Sequence, residues 1–202
     1  MGGVPKAAPK PDVTTGEPRP PQAPVITKWK TEGKTNKSRA KFPQAPKGEG
    51  PLLEWYQAEE SDSTIGGIFL GLAIVGFFCI RDWGFSWMST WWLWLFAIWP
   101  PIVSYFIGRR KGFSAGADWF ATSSKTYVKL YEIRKVTVEY QAGGQSIGIE
   151  LTDIHGGFAG ASLRQLQRKR ALWDLVYNGI VYSVHQGPAT ANNLALDKLQ
   201  LR

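Results

Sequence analysis

The stretch Thr64-Ile-Gly-Gly-Ile-Phe-Leu-Gly-Leu-Ala-Ile-Val-Gly-Phe-Phe-Cys-Ile80, then Arg81-Asp82-Trp83-Gly84-Phe85-Ser86-Trp87, then a second apolar run, Met88–Ile107, decides how this sequence reads. Neither apolar run contains a charged residue. The second is long enough to cross a bilayer. The first sits at the short end of the spanning range, which begins at about 17 residues. The pattern predicts a transmembrane helical hairpin, with helices over 64–80 and 88–107 and an extracytoplasmic loop over 81–87.

Within the hairpin, Gly67 and Gly71 are four residues apart and would let a second helix approach closely. Trp87, Trp91 and Trp94 are spaced by four and three, which on one helix lines up a single face. These five residues are the candidate helix-packing or membrane-partner face. Pro100-Pro101 removes two backbone donors and predicts a kink.

Charge gives the hairpin a direction. Arg109-Arg110-Lys111 follow the second run, whereas the loop holds one Arg81 beside Asp82. Lys and Arg favour the cytoplasmic side of a span. The expectation is a multi-pass plasma-membrane protein with both termini cytoplasmic. The net charge of +8 and pI near 9.6 point to an anionic neighbour, either phospholipid or nucleic acid. Mean hydropathy is only −0.20, because polar flanks dilute the apolar runs.

Residues 1–50 form a basic, proline-rich tail. Residues 1–47 carry ten Lys/Arg against three Asp/Glu, with prolines at 18, 20, 21 and 24. Such composition predicts disorder, with polyproline II character near Pro18–Pro24. It serves either as a solvated tether or as a polybasic arm for lipid, DNA or an acidic partner. No apolar core of a signal peptide is present there. Residues 51–63 read as a juxtamembrane acidic and aromatic segment, with Trp55 and Tyr56 at head-group depth.

Residues 112–202 read as a small cytosolic α+β domain. Strands are predicted over 118–123, 126–131, 133–140, 147–152 and 158–163, as an antiparallel meander with one buried face. The apolar residues Leu172, Trp173, Leu175, Val176, Ile180, Val181 and Val184 then mark one helical face ending near His185. A short last helix follows over 190–200. The fold class expected is an α+β membrane protein: a hairpin followed by a meander capped by C-terminal amphipathic helices.

Strands closed by a C-terminal amphipathic helix resemble the pleckstrin-homology-like (PH-like) folds, although five strands fall short of the seven of a full PH domain. Leu172-Trp-Asp-Leu-Val-Tyr-Asn-Gly-Ile-Val-Tyr-Ser-Val184, preceded by Ile149-Glu-Leu-Thr-Asp153, also resembles uncharacterised two-span membrane proteins of actinobacteria that carry a small cytosolic domain. That resemblance implies a DNA-transfer context and identifies no catalytic residue.

Chemistry is sparse. One cysteine, Cys79, and two histidines, His155 and His185, build neither a disulfide nor a zinc site. Gly156-Gly157-Phe158-Ala159-Gly160 lacks the Lys and the strand–loop–helix context of a phosphate loop. Asp153 and His155 lack a third group that would make them an acid–base pair. No cofactor, metal or catalytic residue is assigned. Arg109, Arg110, Lys111, Arg168, Lys169 and Arg170 are the candidate lipid or partner contacts. The functional expectation is a non-enzymatic integral membrane protein that presents an interaction domain and a basic tail at the inner membrane face, with a protein partner or as a homo-oligomer. The alternatives are an accessory subunit of a larger DNA-transfer or respiratory membrane complex, and a membrane-tethered binder of nucleic acid or anionic lipid.

Overall fold

The computed structural model describes residues 8–25, 43–57, 61–81, 84, 86–109, 112–141, 144 and 146–202. The chain divides into two compact units. One is discontinuous, residues 1–57 with 112–202; the other is residues 58–111.

The discontinuous unit is built on two four-stranded sheets. The first runs β1 (Glu54–Gln57), β2 (Gly112–Ala115), β3 (Trp119–Ala121) and β4 (Tyr127–Lys129), all antiparallel neighbours in sequence order. The second has the order β7 (Phe158–Ser162), β6 (Ser146–Asp153), β5 (Ile133–Gln141), β8 (Thr190–Ala191), with β8 parallel to β5. Helices α3 (Leu163–Arg168), α4 (Arg170–His185) and α5 (Asn193–Lys198) belong to this unit. α4 packs on β1, β2 and β5, α3 on β6 and β7, and α5 on β5.

β1 lies where the sequence reads as a juxtamembrane segment, and β2 lies ahead of the first strand expected from the sequence. They pair from Glu54↔Ala115 to Gln57↔Gly112. The whole of residues 58–111 is therefore the connection of one β-hairpin. The strand count missed by alternation consists of these four-residue pieces and of β8, which has two residues. β8 and α5 together replace the single helix expected over 190–200.

The longer strands follow the expected alternation, with one informative departure. In β5, Ile133, Val136 and Val138 are fully buried, although the first two are three residues apart. An irregularity between Ile133 and Lys135 in the pairing with β6 supplies the extra residue. A bulge of this kind puts Arg134 and Lys135 both outward and restores the inward register.

α4 supplies the centre of the core. Leu172, Trp173, Val176 and Ile180 are completely buried, as are Trp119, Val128, Ile133 and Val136 from the sheets and Leu130 between β4 and β5. Its buried polar residues serve one corner of the chain. Ser183 Oγ donates to the Leu130 carbonyl at 3.0 Å and accepts from the Ile133 amide at 3.3 Å. Asn178 Nδ2 donates to the Tyr131 hydroxyl at 2.9 Å. Gly179 lies over the same corner; a Cβ there would come within 2.5 Å of Leu130 Cβ and 2.9 Å of its carbonyl oxygen.

The second unit contains α1 (Ser61–Arg81), a 3₁₀ turn over Ser86–Ser89, and α2 (Leu93–Arg109). Among the described residues, no helix is long and apolar enough to cross a membrane. This corrects the two-span reading, and with it the integral and multi-pass plasma-membrane placement, the extracytoplasmic loop and the topology with both termini cytoplasmic. The run expected as one helix over 88–107 is divided. Its first residues form the 3₁₀ turn, and α2 holds 17 residues, roughly 26 Å at about 1.5 Å per residue. That is short of a hydrocarbon core of roughly 30 Å. α1 has 21 residues, but it opens on Ser61-Asp62-Ser63, and four glycines dilute its apolar part.

Replacing Gly179 by alanine separates packing from propensity. On an exposed helix the change would stabilise by up to about 1 kcal/mol. Against Leu130 it overpacks, and the expected outcome of chemical denaturation is a net loss of roughly 1–3 kcal/mol.

Candidate functional site

The residues read as candidate sites fall into three groups, which the fold uses differently. In the unit of residues 58–111, α1 and α2 are antiparallel: Gly67 faces Pro100 and Ser104, and Gly71 faces Ala97 and Pro101. A Cβ at Gly67 would lie 2.6 Å from Ser104 Oγ, and one at Gly71 would lie 2.7 Å from the Ala97 carbonyl. Both glycines are thus spent on contact within the pair.

The three tryptophans do not share one helical face, because the 3₁₀ turn and the break before Leu93 interrupt the helix that would align them. Trp87 is 2% exposed, stacks on Phe78 at 5.6 Å and lies 5.2 Å from Trp94. Its indole donates to Cys79 Sγ at 3.4 Å. Trp94 donates to the Met88 carbonyl at 3.2 Å. Trp91 is 76% exposed.

Trp91 belongs to an outer apolar surface. Of the eighteen large hydrophobic side chains that are exposed among the described residues, fourteen lie in residues 58–111. They include Phe69, Leu72, Phe77, Ile80, Trp91 and Trp99. Composition located this surface only as apolar runs. Which side chains face outward depends on the α1–α2 contact.

The basic triplet is used inside the discontinuous unit. Lys169 Nζ pairs with Glu54 Oε2 at 2.6 Å and lies 4.8 Å from the centre of the Trp55 ring. Glu54 Oε1 also pairs with Arg19 at 3.3 Å. Arg168 donates to the Tyr56 hydroxyl at 3.4 Å. Arg170 donates to Gln22 Oε1 at 3.2 Å and to the Ala23 carbonyl at 3.3 Å. All three cations thus hold residues from the first 57. Arg109 ends α2, while Arg110 and Lys111 lie outside the described residues.

The segment held by Arg170 is the proline-rich one. Ala23 N donates to Asp174 Oδ1 at 2.8 Å, Trp173 Nε1 donates to the Pro24 carbonyl at 3.0 Å, and Ala8 N donates to Asn178 Oδ1 at 3.2 Å. Lys10 pairs with Asp118 at 3.6 Å. Burial pushes the Asp174 carboxyl up from its ordinary range, while the Ala23 amide and Arg170 pull it back. A cleft of about 430 Å³ lies here, lined by Gln22–Val25, Arg170, Tyr177 and Gln200. Sequence reading missed this arrangement. The available signal was the polyproline character of 18–24, but nothing local showed that α4 would receive it.

A second cleft, of about 420 Å³, is lined by Glu49, Tyr127, Lys129, Asp153, His155, Gly156 and Gly157. Asp153 is 3% exposed, and its carboxylate accepts from the amides of Lys129, His155 and Gly157 at 2.7–3.0 Å. It fastens the turn and does not meet the His155 ring, whose Nε2 lies 2.6 Å from Glu132 Oε2. Lys129 pairs with Glu49 at 3.4 Å, and that charge holds its ammonium above the ordinary value. Among the described residues, no group of three or more His, Cys, Asp or Glu could hold a metal ion. No family model, curated protein or solved structure matches the chain.

Two measurements check these assignments. Glu54→Ala leaves Lys169, 20% exposed at its side chain, without its carboxylate. The expected cost is about 1–3 kcal/mol in denaturant unfolding, well above that of an exposed ion pair. The second concerns alkaline pH. Burial raises Tyr131 and Tyr177 from the ordinary 10.0 to about 12. The folded chain then holds two protons that the unfolded chain releases, so stability falls as pH rises from about 10 towards 12. Unfolding free energies measured across that window should decline, and less steeply in Tyr177→Phe.

Proposed function

We propose that this protein is a non-enzymatic adaptor: a PH-like two-sheet domain whose first β-hairpin connection carries an apolar helical docking arm for a larger protein assembly. The observation that carries the reading is the concentration of exposed apolar side chains on residues 58–111. Monomeric proteins seldom leave more than a few hundred Å² of contiguous apolar surface open to water. Phe69, Leu72, Trp91 and Trp99 are all exposed on this one unit, and such a concentration calls for a covering partner. Aromatic side chains dominate the energetics of such contacts.

The PH-like reading of the domain draws on strand order. The first four strands form one antiparallel sheet, the next three form most of the other, and an amphipathic helix follows. An adaptor role is consistent with an Asp153 carboxylate fully engaged with backbone amides and with basic residues committed to internal contacts.

Purification under mild conditions from the native source tests the reading. The expected result is a protein partner at fixed stoichiometry, whose retention falls at least tenfold in a Trp91→Glu, Trp99→Glu double variant with unchanged circular dichroism. Equal retention by that variant, or recovery of the chain alone, would overturn it.

A further inference from the structure

The tetrapeptide Pro-Gln-Ala-Pro occurs twice, at Pro21–Pro24 and at Pro43–Pro46. Each copy belongs to a segment fixed by a completely buried tryptophan. Trp173 donates to the carbonyl of Pro24, and Trp119 donates to the carbonyl of Gly50 at 2.9 Å. Ala45 of the second copy packs against the cluster that holds Trp119.

The first copy is held in a particular way. Three of its four polar contacts with α4 read the main chain: Asp174 takes the Ala23 amide, Arg170 the Ala23 carbonyl and Trp173 the Pro24 carbonyl. Only the Arg170–Gln22 contact reads a side chain. Sequence enters through size and stiffness. Ala23 is 2% exposed, so its position admits a small residue, and the flanking prolines stiffen the backbone that presents both carbonyls. Donors directed at the carbonyls of an extended proline segment are the means by which proline-rich ligands are generally recognised.

The segment is also lightly fastened. Between residues 17 and 25 only Ala23 is buried, and Gln22 and Val25 are exposed. Segments with few buried contacts open at low free energy. A ligand tethered in the same chain still competes strongly, because its effective concentration reaches the millimolar range.

We propose that the α4 surface formed by Arg170, Trp173, Asp174 and Tyr177 is a recognition site for extended Gln-Ala-Pro segments of another polypeptide. The chain's own Glu17–Val25 is its resident occupant. A segment of the same chemistry exchanges with it, and displacement frees residues 17–25. This site is independent of the apolar arm of residues 58–111 and stands or falls separately from it.

Fluorescence anisotropy on the full chain tests the site, with a labelled peptide of sequence Glu17–Val25 as probe. Ala23→Glu in the full chain places a charged side chain where only alanine fits, beside Asp174, and evicts the resident segment while leaving α4 unaltered. The expected result is peptide binding at least tenfold tighter to this variant than to the native chain. A probe in which the Ala23 equivalent is glutamate should not bind. Trp173→Phe on the Ala23→Glu background should weaken binding severalfold. Pro24→Gly, which loosens the resident segment without burying a charge, serves as a second eviction variant should the first misfold. Failure of either folded variant to bind the probe better than the native chain would overturn the proposal. So would equal binding of the native and glutamate-bearing probes.

Discussion

The pairing of β1 with β2 is the constraint on which the rest depends. Four residue pairs, Glu54↔Ala115 to Gln57↔Gly112, hold together two strands separated by residues 58–111. Closing a connection of that length, compared with a tight turn, costs roughly 2–3 kcal/mol in chain entropy. The α1–α2 pair lessens this cost. It is antiparallel and closely packed through Gly67 and Gly71, so the chain that leaves Gln57 folds back on itself before Gly112. Once β1 is placed, Tyr56 stacks with Phe113, their ring centres 6.3 Å apart, and Glu54 meets Lys169 at the start of α4. The first sheet is then complete.

α4 connects that sheet to the second. Its apolar face fills the core, and its buried Ser183, Asn178 and Gly179 all address the Leu130–Ile133 corner between β4 and β5. Hydrogen bonds to backbone groups at a corner fix position more sharply than apolar contact alone, because a buried unpaired group is costly. The same helix turns Arg170, Trp173 and Asp174 towards the proline-rich segment. One element thus sets both the core and the surface that receives residues 8–25.

Several cations of the discontinuous unit turn inward. Lys169, Arg168 and Arg170 each contact residues from the first 57, and Lys129 meets Glu49. Much of the basic character of the domain serves to bind the N-terminal segment to it. The apolar side chains show the reverse pattern. Among the described residues most of them are buried in the two-sheet unit, whereas fourteen of the eighteen exposed large ones lie in residues 58–111.

The sequence by itself determined the local features. Alternation located β5 and β6, the 3.6-residue period located α4 and its buried face, and hydropathy marked two apolar runs, the first carrying a GxxxG. These are properties of neighbouring residues. It could not determine that β1 and β2, four residues each, are partners, since so short a strand has no period of its own and its meaning comes from a pairing across 58–111. Nor could it place the start of the second apolar helix. Met88–Ile107 is uncharged throughout, but Trp87 turns in to meet Phe78, Cys79 and Trp94, and that contact accompanies a 3₁₀ turn where a continuous helix was expected. The proline-rich character of the tail was legible in its composition. Its docking on Trp173 and Asp174 was decided only by the tertiary structure, because the donors and acceptors it meets lie about 150 residues away in the chain.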